Sequence, residues 1–147
     1  MSEFKWIICA AVGAVGGVIS DIFGSWTGDM TTLLIFMAVD FVMGLCVAGI
    51  FKNSNKSEGG AMDSRAGWKG LCRKGITWLI ILVAHRLDVA LGVGYVRAAA
   101  VIGFTANEAL SIIENAGLMG IKLPGSIRRA IDVLLKRGGD KDDDKKS

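Results

Sequence analysis

Asn107, Glu108, Ser111, Glu114 and Asn115 stand in an otherwise apolar run, "NEALSIIENAGLMGIKLP", which closes at Pro124. At about 100° per residue they fall on one helix face roughly 120° wide. Arg97 shares that face, and Ala106, Ala109, Leu110, Ile112 and Ile113 lie opposite. Asp40, His85, Arg86 and Asp88 are similarly embedded in apolar sequence. A charge held at mid-bilayer costs about 2.5–3.5 kcal/mol on insertion scales, so such a residue faces protein or water. Two chemistries follow: ion pairs that hold helices together, or polar surfaces that line a water path and drive oligomerisation. Catalysis has no comparable support. There is one histidine, and neither an HExxH segment nor a nucleophile elbow is present. Cys9, Cys46 and Cys72 form no CxxC pair and give neither a disulfide framework nor metal-ligand spacing. His85 therefore reads as a paired core or interface histidine, and no catalytic residue, metal or cofactor is expected.

The elements that carry these residues are long apolar blocks. Over half of the 147 residues are hydrophobic, at 52%, with 20 glycines and one proline. The apolar residues cluster in blocks instead of alternating stripes, which marks an integral membrane protein. The reading is all-α: about four transmembrane or membrane-embedded helices over 6–23, 31–51, 75–95 and 96–121, with a hydrophilic linker at 52–74. Trp6 and Trp26 bracket the first block about 30 Å apart at 1.5 Å per residue, matching a bilayer core. No A-x-A-like cleavage site follows it, so it reads as a retained helix and not a signal peptide. Residues 122–137 form a basic amphipathic helix, and 138–147 a disordered charged tail.

Basic residues orient the chain. Lys52, Lys56, Arg65, Lys69, Arg73 and Lys74 fall in the linker, and none falls in the turn at 24–30. The linker is thus expected on the cytoplasmic side and the turn outside. The segment from 122 onward carries eight more basic residues, which calls for an even number of crossings. Four crossings with both termini cytoplasmic satisfy this; three crossings with an interfacial fourth segment are the alternative. Lys69, Arg73, Lys74, Arg128 and Arg129 are expected at the anionic lipid surface, at about 1 kcal/mol each. With a net charge of +3, nothing points to nucleic acid.

Small residues recur with an acid at helical spacing: Cys9, Gly13, Gly17 and Asp21; Asp40, Gly44 and Ala48; Ala84, Asp88 and Gly92. Residues four apart share a face, and small side chains there let membrane helices approach closely. Gly13, Gly17, Gly44, Ala48 and Gly92 are therefore read as helix-packing positions, either within one chain or between copies.

These residues resemble the toxin-secretion and phage-lysis holin family of small bacteriophage and clostridial membrane proteins. Ser64, Gly67, Gly70, Arg73 and Lys74 in "SRAGWKGLCRK" carry one part of the resemblance. Asn107, Glu108, Ser111, Ile112, Glu114, Asn115, Gly120 and Pro124 carry the other, with Asp40–Gly44 and His85–Asp88 in support. It covers roughly residues 30–135, and Arg86 beside His85 departs from the pattern. The resemblance implies multi-pass residence in the bacterial cytoplasmic membrane, self-association, and sudden lesions that release an endolysin onto peptidoglycan. It also implies three crossings, against the four that the charges favour. A small channel or transporter subunit is the main competitor, but no paired half-helices or filter-like loop are visible. An antiholin-type regulator of a pore-former fits the same residues.

Overall fold

A computed structural model describes residues 2–51 and 64–139 as five helices: α1 Ser2–Phe23, α2 Gly28–Gly49, α3 Ser64–Leu91, α4 Val96–Leu118 and α5 Gly125–Gly139. The linker segment 52–63 and most of the tail expected to be disordered lie outside the described residues. The all-helical expectation holds. Among the described residues α1, α2 and α4 are long and apolar enough to cross a membrane. The third expected crossing, now largely part of α3, is not among them, because Arg86 and Asp88 interrupt it and Lys74 adjoins it.

The boundaries differ from the sequence expectation in one consequential place. Residues 64–74, expected in the linker, form the first turns of α3. Lysine, arginine, alanine and leucine are good helix formers. The charges that lower the hydropathy of "RAGWKGLCRK" therefore do nothing to stop the helix. Elsewhere glycine sets the ends. Gly92 (φ 66°) and Gly120 (φ 74°) each follow a helix in the left-handed conformation. The N–H of Val93 then bonds to the carbonyl of Asp88 at 2.9 Å, and that of Ile121 to Ala116 at 2.9 Å. These are the C-terminal closures that glycine permits at least cost. They stop α3 at Leu91 instead of Tyr95 and α4 at Leu118 instead of Ile121.

Three helices form the core. Buried positions on α2 (Met30, Leu33, Met37, Asp40, Val47) and α3 (Thr77, Ile81, Ala84, Asp88) follow three- and four-residue steps, so each helix buries a single stripe. Met30, Leu33, Met37, Ile81 and Val101 make the apolar cluster, with Phe23, Trp78 and Phe104 packed on it. Residue pairing fixes direction. Asp88 meets the start of α4 while Lys74 meets its middle, so α3 and α4 are antiparallel. Asp40 of α2 meets Asn115 of α4 and Met30 lies with Val101, so these two run the same way.

α1 stands apart. Residues 3–22 are exposed, and only Phe23 at its end is half-buried, set edge-on to Trp78. Gly13 and Gly17 have open space where a side chain would project, so neither packs against its own chain. On α2, by contrast, a Cβ at Gly44 would lie 4.0 Å from Asn115, and Ala48 is half-buried. Gly92 is a correction: expected to pack helices, it ends one instead. Its positive φ serves the turn, and no atom lies within 4 Å of where its Cβ would be. α5 folds back along α4, with the Cβ position of Gly138 3.4 Å from the Gly103 Cα.

Candidate functional site

The embedded polar residues separate into two constellations and an exposed remainder. The first lies between α2, α3 and α4. Lys74 donates to Asp40 Oδ2 at 2.9 Å and to Glu108 Oε2, bridging the two carboxylates. The Asn115 amide donates to Asp40 Oδ1 at 2.9 Å. Asp40, Glu108 and Asn115 are 6%, 8% and 5% exposed, so the cluster is shielded by the helices that carry it. Asp40 and Glu108 fall near the middle of α2 and α4, the depth at which an unpaired charge is most costly. Two carboxylates face one ammonium, leaving one formal negative charge. The amide of Asn115 and a single lysine are the donors that satisfy the two carboxylates.

Lys74 is a correction. Expected at the lipid surface, it is the cation of this buried site, with its side chain 14% exposed. The reason is register: 74, 77, 81, 84 and 88 make the alternating three- and four-residue steps of one helix stripe, so Lys74 points the same way as Thr77, Ile81, Ala84 and Asp88. That spacing was present in the sequence, but the cluster of neighbouring basic residues hid it. Arg86 is exposed and takes no part in this cluster, in which Asp40 pairs with Lys74, while Asp88 turns elsewhere.

The second constellation ties the helix ends together. Asp88 accepts from the backbone N–H groups of Val96 and Arg97 at 2.8 and 2.9 Å, capping α4 from the preceding helix. Tyr95, the residue at the cap position, does not cap the helix with its side chain. A carboxylate there satisfies orphan N–H groups and complements the helix dipole. Arg97 in turn donates through Nη1 to the carbonyls of Phe23 (2.7 Å) and Ser25 (3.4 Å), holding the end of α1. Gly24 (φ 73°) makes this approach possible, since a Cβ there would sit 2.6 Å from both Arg97 Nη1 and His85 Cε1. Trp26 stacks on Trp78 at 5.4 Å, and its indole N–H donates to Thr31. His85 is thus part of a helix clasp. Arg97 and Trp78, which this clasp needs, were not among the expected site residues.

The opening stripe is divided by this packing. Glu108 and Asn115, seven apart, turn inward; Asn107 and Glu114, also seven apart, remain exposed, with Ser111 half-buried between them. Lys69, Arg73, Arg128 and Arg129 are exposed. Among the described residues no group of histidine, cysteine and carboxylate side chains could hold a metal ion.

Comparison with known proteins adds a family. Residues 17–136 match the bacteriophage holin family. An uncharacterised protein of Halalkalibacterium halodurans is 35% identical over 136 residues, covering 88% of this chain and 92% of its own. An uncharacterised protein of Clostridium perfringens is 32% identical over 132 residues, covering 87% and 92%. A protein of Bacillus phage phi105 named as a probable holin is 31% identical over 103 residues, covering 69% and 70%. No solved structure matches.

Proposed function

The chain belongs to the bacteriophage holin family, and from that premise we propose that it collects in the bacterial cytoplasmic membrane as an oligomer and opens lesions that release an endolysin. It is a membrane protein of a family of lysis proteins, not enzymes. The observation that carries the proposal is the Asp40–Lys74–Glu108–Asn115 cluster. A lesion-forming protein needs polar surface that is concealed while it accumulates and available when helices rearrange. This cluster supplies it, because all four side chains belong to three different helices and are satisfied only while those helices stay together. Once α3 moves away from α2 and α4, Asp40 and Glu108 near mid-bilayer lose their cation and require water.

Four crossings fit this reading. α2 and α4 run side by side in the same direction, and α3 returns antiparallel along α4, with Lys74 neutralised by Asp40 and Glu108. Anionic lipid would engage Arg128 and Arg129, which are exposed. The test is induction in a bacterial host, following membrane potential and release of a co-expressed cytoplasmic murein hydrolase. Wild type is expected to show a delayed, abrupt collapse with hydrolase release, and Asp40→Asn and Glu108→Gln are expected to advance it. Gradual, selective potential loss without release would refute lesion formation.

A further inference from the structure

Asn107 occupies the middle of α4 and is exposed, as is Glu114 two turns further on. With half-buried Ser111 they form a polar strip on the outside of the bundle, and among the described residues none of the three has a hydrogen bond or ion pair within the chain. α5 packs along α4, yet Asn107 and Glu114 stay exposed. An amide and a carboxylate on the outer face of a membrane-crossing helix are not lipid-facing groups; polar side chains there associate helices or meet water.

The same molecule carries a complementary surface at the same depth. Lys74 and Glu108 touch across antiparallel helices, so they set a common level. Six residues beyond Glu108 on α4 is Glu114, and five residues before Lys74 on α3 is Lys69. At 1.5 Å per residue these positions lie about 9 and 7.5 Å below the shared level, within about 2 Å of each other. Lys69 and Arg73 are exposed on α3, and among the described residues neither side chain has a partner. We infer that the Asn107–Ser111–Glu114 strip of one copy packs against the Lys69–Arg73 surface of a second copy. This inference rests on the membrane reading above and specifies the self-association it requires. Pairing strip to strip would place Glu114 against Glu114, which like-charge repulsion opposes. A contact between two different surfaces is head-to-tail, so it continues from copy to copy and yields a ring or an open array instead of a closed dimer.

The test co-expresses two cysteine-free chains of different tag length, one carrying Glu114→Cys and the other Lys69→Cys, and oxidises isolated membranes. Both positions are exposed, so the bundle should tolerate the changes. A mixed disulfide dimer several-fold above the homodimer from either chain alone is expected. Carbodiimide coupling of the unsubstituted chain, mapped by mass spectrometry, should join Glu114 of one copy to Lys69 of another. Homodimers of Glu114→Cys without a mixed dimer would overturn the proposal in favour of a strip-to-strip contact. Absence of every cross-link would overturn it in favour of a lipid- or water-facing strip. A chain that lyses cells on induction yet gives no mixed dimer would keep the proposed function and lose only this interface.

Discussion

At the scale of single residues, Lys74 determines how the interior is read. Its removal leaves Asp40 and Glu108 facing each other without a cation, and breaking a buried pair from one side is more harmful than replacing the whole set. Lys74→Met is expected to destabilise the helix bundle in detergent by about 3 kcal/mol. Combining it with Asp40→Asn and Glu108→Gln should recover most of that loss. Chemical unfolding of wild type and these two variants measures this, and an unaffected Lys74→Met variant would show that water already reaches the carboxylates. The identities of Asp40, Glu108 and Asn115 were legible as polar residues needing partners. Their partner was not, because Lys74 sits among Lys69, Arg73 and other basic residues, and the eye assigns a basic run to the membrane surface. Only the stripe from Lys74 through Thr77 and Ile81 to Asp88 separates it from its neighbours.

At the scale of elements, hydropathy found where helices are apolar but not where they begin or stop. α3 starts at Ser64, well before its apolar stretch, since helix formation depends on backbone and side-chain freedom and not on hydrophobicity. Its end depends on Gly92, while the end of α1 depends on Gly24. Both have positive φ, yet their surroundings differ: nothing lies near Gly92, whereas Gly24 abuts Arg97 and His85. Gly92→Ala should therefore cost only the left-handed backbone penalty of about 1–2 kcal/mol. Gly24→Ala should cost more, because it must also displace the guanidinium that holds the Phe23 and Ser25 carbonyls. Parallel unfolding curves for the two variants check the order, and equal losses would mean the clasp yields without resistance. Spacing alone could not separate these roles, since every glycine looks equally available for helix packing.

At the scale of the whole molecule, the proposed four crossings draw on the charge rule and on the shared direction of α2 and α4. On the proposed topology, the basic residues place the α1–α2 turn outside and both the linker and the segment after α4 inside. The shared direction of α2 and α4 requires the chain to return between them, and α3 makes that return with its charges satisfied by Asp40, Glu108 and the N-terminus of α4. The decisive position is the α3–α4 turn. In a cysteine-free background, Ser25→Cys and Gly94→Cys should both react with a membrane-impermeant maleimide added to intact spheroplasts. Lys122→Cys should react only after permeabilisation. Both reactive positions lie in exposed turns, so their own chain does not shield them. Labelling at Ser25 with protection at Gly94 would mean that α3 does not cross, and would leave three crossings with the C-terminal segment on the opposite face. Lys74 would then sit outside the hydrocarbon core, and the mid-bilayer cost that makes its cluster a lock would vanish with it.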